Sequence, residues 1–204
     1  MSIEGSITAL VTPMNEKGDL DYNSLEKLIN FQIDSGISGL VAVGTTGESA
    51  TIDFEDHIKL IEFFIKISNG RVHIIAGTGA NSTEEALHLT REAKNLGADA
   101  ALLVSPYYNK PPQEGIYRHH AKIADEVDIP QILYNVPSRT ASFIEPETVQ
   151  RLSSHQNIMG IKDATGDMKN LSEVLKLCEE NIKSKNFFLY SCLLYTSPSP
   201  RDRG

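Results

Sequence analysis

The sequence predicts an α/β fold, a TIM (β/α)8 barrel seen through seven strands and truncated after the seventh. Three observations predict it. Short β-rich runs, apolar on both alternating faces, recur along the 204 residues, as parallel strands covered on both sides should. The polar residues closing those runs are Thr12, Thr45, Thr78, Ser105, Asn135, Lys162 and Ser191, with successive spacings of 33, 33, 27, 30, 27 and 29. An eight-unit barrel needs about 31 residues per unit. The third is negative: an open dinucleotide-binding sheet would show GxGxxG after its first strand, and "TPMNEKG" stands there instead.

In order, the expected strands are "SITALVTP", "GLVAVGTT", "VHIIAGTG", "AALLVSPYY", "QILYNVP", "NIMGIKDAT" and "FFLYS". Helical periodicity fills the intervals. In "DYNSLEKLINFQIDSG", Leu25, Leu28, Ile29 and Ile33 make one apolar stripe, and Gly36 supplies a left-handed stop. "FEDHIKLIEFFIKISNG" carries Ile58, Ile61 and Ile65 and closes at Gly70. In "NSTEEALHLTREAKNLG", Ser82 and Glu85 form a capping box, Ala86, Leu89, Ala93 and Leu96 face inward, and Gly97 ends the helix. Pro146 in "EPETVQRL" suits a first helical turn.

Composition narrows the function classes. The formal charge of −8 is spread along the chain, which argues against nucleic acid or an anionic membrane as partner, since either wants a basic face. No apolar run approaches the ~20 residues of a membrane span, and "MSIEGSITALVTPM" lacks the pattern of a signal peptide. Two cysteines, Cys178 and Cys192, make no disulfide framework, so a reducing cytoplasm is the expected location. The histidines are scattered, and His119 and His120, being adjacent, cannot share one helix face at i, i+4 as in HExxH. Neither a metal nor another cofactor is expected.

The residues with chemistry sit at strand ends. Lys162 closes the apolar run Ile158–Ile161. Desolvation disfavours an ammonium there relative to the amine, and a neutral amine beside a carbonyl compound forms a Schiff base. A strand-end lysine that merely snorkels to the rim is the bland alternative. Tyr134 ends "QILY", where a phenol can move protons, or serve as a core aromatic. Arg139 follows on a proline-containing loop and can clamp a carboxylate. "GTTGES" places Thr45 and Thr46 between glycines, a setting in which backbone N–H groups can face a small anion; the same letters also describe a tight turn. "GTGANST" is a weak phosphate-cradle pattern. "SPYYNKPP" sets Tyr107 and Tyr108 on a loop able to meet a partner chain.

Taken together, "GTTGES", "SPYYNKP", "YNVPSRT" and "GIKDATGD" resemble the signature segments of the dihydrodipicolinate synthase family, within the pyruvate-dependent lyase and aldolase superfamily. The similarity runs from about Gly5 to Ser191. It implies that Lys162 forms an imine with pyruvate, whose carboxylate is held at Thr45 and Thr46. Tyr134 would be the central acid and base, in a relay with Thr45 and with Tyr108 donated by a neighbouring subunit. Arg139 would receive the carboxylate of L-aspartate 4-semialdehyde. The resemblance further implies a homo-oligomer, a dimer of tight dimers, and inhibition by L-lysine. The matching positions of that effector site are Ser49, Ala50, His57, Asn81, Glu85 and Tyr107, while Phe54 replaces a frequent histidine and removes a polar contact.

Residues 1–191 are thus expected to form one incomplete barrel catalytic domain. Residues 192–204, "CLLYTSPSPRDRG", continue no pattern and read as a non-native, adapter-like tail on a chain whose natural form is longer. Cys192 stands where the family continues with a glycine. A seven-stranded barrel leaves two open edges, so poor folding and lost activity are expected of this chain. The alternatives are a sialic acid or sugar-acid aldolase of the same superfamily, a phosphate-binding barrel, and a catalytically inert fragment.

Overall fold

The computed structural model describes residues 3–192. The adapter-like reading of 192–204 therefore lies outside the described residues, Cys192 excepted. Seven strands appear: β1 Ile7–Ala9, β2 Gly39–Ala42, β3 His73–Gly77, β4 Ala100–Val104, β5 Gln131–Asn135, β6 Ile158–Asp163 and β7 Phe188–Ser191. Each falls inside one of the seven runs quoted above. Strand order is chain order, and the registered pairs are parallel. An open doubly wound sheet reverses its order at a switch point; none occurs here, and the sequential order is that of a barrel.

Helices follow the strands: α1 Tyr22–Asp34, α2 Phe54–Ser68, α3 Thr83–Leu96, α4 Gln113–Glu126, α5 Pro137–Thr140, α6 Pro146–Ser153, α7 Met168–Leu177 and α8 Glu179–Lys183. Asp21 caps α1 by accepting from the Ser24 backbone N–H, and Asp53 caps α2 by accepting from that of Asp56 at 2.9 Å. Helix α2 ends on Asn69, left-handed at φ 47°, one residue before the expected Gly70. Asparagine tolerates that conformation through its short polar side chain. The Ser82–Glu85 box is half formed: the Glu85 backbone N–H reaches Ser82 Oγ at 3.4 Å. Pro146 holds the first turn of α6.

Helix α4 is the element that periodicity leaves unread. Its buried face is Ile116, His119, His120, Ile123 and Ala124, so two imidazoles occupy positions where an apolar stripe would carry aliphatic side chains.

The described chain divides into two compact units. One holds the chain up to Thr78 with His88–Leu102; the other holds Gly79–Leu87 and the chain from Leu103 onward. The first is built on a core of Leu10, Leu25, Ile29, Leu40, Leu60, Ile61, Phe64 and Ile74. Leu25 and Ile29 come from the α1 stripe, and each such side chain contributes about 1.5–3 kcal/mol on full burial. In the second, Ile116, Leu133, Ile144, Val149, Leu152, Ile158, Ile161, Val174 and Phe187 form the core, which seats β5 and β6.

Candidate active site

In the second unit the register sets the central pair. Tyr134 on β5 lies directly opposite Lys162 on β6, so their side chains leave the sheet on the same face. Lys162 Nζ stands 4.4 Å from the centroid of the Tyr134 ring. Tyr134 is buried, and Lys162 is half-buried at the end of the wholly buried Ile158–Ile161. The lysine has left the apolar run without reaching open water. The Tyr134 hydroxyl lies 3.9 Å from Cys192 Sγ.

Tyr190 on β7 is in register with Lys162 from the other side. Its ring fills the space beside Gly160, where an added Cβ would stand 3.1 Å from Tyr190 Cε2 and 2.5 Å from the Phe188 carbonyl oxygen. Sequence reading passed over Tyr190. The available signal was Gly160 itself, a glycine inside an apolar strand, which marks a close approach.

The other polar residues of "GIKDATGD" build the turn that follows. Asp163 accepts from the Thr165 N–H at 3.1 Å and its hydroxyl at 2.8 Å. Thr165 Oγ1 accepts from the Asp167 N–H at 3.1 Å, and Asp167 caps α7. Of this motif, only Lys162 is left for chemistry by its position.

Arg139 sits on α5, exposed, in a segment that is firmly held beneath it. Buried Asn135 at the end of β5 donates to the Ile144 carbonyl and accepts from the Ile144 N–H, both at 3.1 Å. Thr140 Oγ1 donates towards Ser142 O at 2.8 Å and Val136 O at 3.2 Å. The loop after β4 is tied to the same segment: Tyr108 N–H reaches the Thr140 carbonyl at 3.4 Å, and Ser142 Oγ donates to Pro106 O at 2.7 Å. Tyr108 is 89% exposed and left-handed at φ 72°, a conformation that costs a bulky residue strain and that clusters at functional sites. Asn135 was legible only as the polar residue that closes its strand, and Thr140 and Ser142 were not singled out from the sequence, because a lone polar residue in a loop carries no periodicity.

Three of the expected effector-site positions, Asn81, Glu85 and Tyr107, lie near one another in this unit. The hydroxyl of half-buried Tyr107 is pushed above the ordinary phenol value by burial and then by the Glu85 charge, with Asn81 acting against them.

The first unit carries Thr45 and Thr46. They open a 3-10 turn, Thr45–Gly47, after β2. Val43, 1% exposed, has φ 52°, a rare state for a β-branched residue. Gly77 permits it: a Cβ there would stand 2.4 Å from the Val43 carbonyl oxygen. His57 Nε2 lies 2.7 Å from the Gly77 carbonyl, so that nitrogen carries the proton and donates. Burial lowers the His57 pKa. Thr12 Oγ1 donates to Gly47 O at 2.7 Å. Ser49 is half-buried and Ala50 exposed in the next 3-10 turn, and Phe54 packs edge-on against His88 at 4.8 Å. Among the described residues, no cluster of three His, Cys, Asp or Glu side chains is placed to hold a metal ion.

A model of the dihydrodipicolinate synthetase family matches residues 2–191. The chain belongs to this family. A curated relative, the 4-hydroxy-tetrahydrodipicolinate synthase of Thermodesulfovibrio yellowstonii, is 56% identical over 179 residues, covering 88% of this chain and 61% of that protein. The chloride-inhibited dihydrodipicolinate synthase of Acinetobacter baumannii, solved with pyruvate, is 50% identical with a TM-score of 0.88, over 93% of this chain and 64% of that one. The dihydrodipicolinate synthase of Cyanidioschyzon merolae, solved with lysine bound, is 38% identical with a TM-score of 0.87, over 93% and 63%. A monomeric dihydrodipicolinate synthase variant is 39% identical, also at 0.87, over 92% and 62%. This dihydrodipicolinate synthetase family chain therefore spans about three fifths of the length of the relatives it matches. Its seven parallel strands are those of the family's TIM barrel, which it carries through the seventh strand.

Proposed function

We propose that residues 1–191 are the catalytic barrel of a Schiff-base lyase that condenses pyruvate with L-aspartate 4-semialdehyde, giving 4-hydroxy-tetrahydrodipicolinate for lysine biosynthesis through diaminopimelate. The observation that carries the reading is the registered pair: an amine 4.4 Å from the ring of a buried tyrosine, at the exits of adjacent strands. Lys162 adds to the keto carbon of pyruvate and water leaves, forming the imine. The protonated imine is the electron sink, so carbon–carbon bond formation needs no cofactor. Tyr134 transfers the protons, with Thr45 and a neighbouring subunit's Tyr108 in its relay. Thr45 and Thr46 hold the pyruvate carboxylate, and Arg139 takes that of the aldehyde. The enamine carbon attacks the aldehyde; the substrate amine then displaces Lys162 and closes the ring.

This reading extends to a cytoplasmic homo-oligomer, a dimer of dimers, in which lysine inhibits through Ser49, Ala50, His57, Asn81, Glu85 and Tyr107. Lysine in the Cyanidioschyzon merolae enzyme and pyruvate in that of Acinetobacter baumannii support the ligand classes.

Borohydride reduction in the presence of pyruvate, followed by peptide mapping, tests the proposal. A stable adduct on Lys162 is expected in the unaltered chain and none in Lys162→Ala. Tyr134→Phe should slow its formation by about a hundredfold or more, while Arg139→Ala spares it. An undiminished adduct in Lys162→Ala would dispose of the proposal.

A further inference from the structure

The α5 segment that carries Arg139 and the loop that carries Tyr108 are joined by a buried chain of hydroxyl groups that the reaction scheme does not use. Ser142 Oγ has one proton, and it is given to the Pro106 carbonyl at 2.7 Å. The 2.8 Å contact between Ser105 Oγ and Ser142 Oγ must then run from Ser105 to Ser142. The direction of the whole chain is fixed: Ser105 hydroxyl to Ser142 hydroxyl to Pro106 carbonyl. Proline has no N–H, so its carbonyl is the group it offers here.

The chain touches three of the elements that present candidate site residues in this unit: β5, the Arg139 segment and the Tyr108 loop. Ser105 donates its backbone N–H to the Tyr134 carbonyl at 3.0 Å. Ser142 also gives its backbone N–H to Thr140 Oγ1 at 3.3 Å, and Thr140 is the neighbour of Arg139. Pro106 stands two residues before Tyr108, whose own N–H reaches back to Thr140. Ser105, Thr140 and Ser142 are 0%, 2% and 7% exposed, so water does not substitute for a lost partner and an orphaned group carries its full desolvation cost. Ala141 and Tyr108, on the two tied segments, both hold left-handed backbones, at φ 52° and 72°. Strained residues persist only where their surroundings over-determine them.

We propose that Ser142 is a positioning residue, whose hydroxyl, fed by Ser105 and spent on Pro106, locks the Arg139 segment to the Tyr108 loop and so fixes where the carboxylate of the second substrate is received. The role in substrate reception rests on the assignment of Arg139 made above; the lock itself does not.

Hydrogen exchange followed by mass spectrometry on the whole chain tests both parts. In Ser142→Ala, amides of 107–110 and 138–142 should exchange about five- to tenfold faster, the change that loss of one or two hydrogen bonds brings, while β5 and β6 keep their protection. Ser142→Thr retains the hydroxyl and should restore slow exchange. Ser105→Ala leaves the bond to Pro106 in place and should show a smaller effect. Unchanged exchange in Ser142→Ala, a uniform rise across the unit, or failure of Ser142→Thr to rescue overturns the lock. Succinate semialdehyde, a carboxylate-bearing aldehyde, is the ligand probe: it should slow exchange at 138–142 in the unaltered chain and in Ser142→Thr, and not in Ser142→Ala or Arg139→Ala. Slowing that survives Ser142→Ala but not Arg139→Ala overturns the positioning role and leaves Arg139 standing. No slowing in the unaltered chain overturns the Arg139 assignment, and the role in substrate reception with it.

Discussion

Two of the strand exits that present candidate chemistry, those after β2 and β5, are held by different physics. After β2, the turn bearing Thr45 and Thr46 is fixed by exclusion. Val43 is left-handed at φ 52°, and Gly77 lies so close that any side chain on it would overlap the Val43 carbonyl. After β5, the segment bearing Arg139 is fixed by pairing. Asn135 pairs with the Ile144 backbone, Thr140 with the Ser142 carbonyl and Ser142 with the Pro106 carbonyl, all through buried hydrogen bonds. Exclusion tolerates no added atom, while pairing tolerates no removed one. The two exits should therefore fail under opposite kinds of substitution.

The largest effect expected is at the paired exit. Asn135→Ala deletes both bonds to Ile144 and leaves that residue's N–H and carbonyl buried without partners. At about 1–3 kcal/mol for each orphaned group, a loss of about 3–4 kcal/mol is expected in urea unfolding. A loss under about 1 kcal/mol would mean that water reaches Ile144, and the comparison would break.

Acid should sharpen it. Burial lowers the pKa of His119 to about 4 and holds His120 well below its ordinary value; burial also lowers His57 beside Gly77. These imidazoles are neutral when folded and bind protons when unfolded. Their contribution is complete above the unfolded pKa of about 6.5 and is lost as the pH falls towards the folded values. For His119 alone that is about 3 kcal/mol between pH 6.5 and 4. Two such groups lie on α4 of the second unit and one in the first, so exchange protection in the second should fall first between pH 6 and 5. His119→Gln should flatten the pH dependence of the urea midpoint; an unaltered slope would refute this account of α4.

The smallest effect of this set belongs to the excluded exit. Gly77→Ala introduces a Cβ at 2.4 Å from the Val43 carbonyl, a forced shift of the overpacking kind costing about 1–3 kcal/mol. A stabilised Gly77→Ala, as ordinary glycine replacement can give, would show that the Val43 turn is free to move.

How much of this could be read from letters differs by residue. Lys162 and Tyr134 were legible because each closes an apolar run, and a strand's period fixes where such residues emerge. Ser142 and Tyr190 were not: a serine in a loop has no period, and the register that sets Tyr190 beside Lys162 joins residues 28 apart. Helix α4 hid for a related reason, since its buried face holds two histidines and only folding discloses that their ring nitrogens turn inward.

Local pattern alone determined the seven strands, their parallel sense, the start of α6 at Pro146, and the chemical identity of the strand-end residues, because those depend on neighbours within a few positions. Tertiary structure alone decided which groups meet: the amine over the tyrosine ring, the carbonyl against Gly77, the hydroxyl chain through Ser142. Such contacts join residues tens of positions apart, and their geometry follows from the packing of whole elements, which no short stretch of sequence encodes.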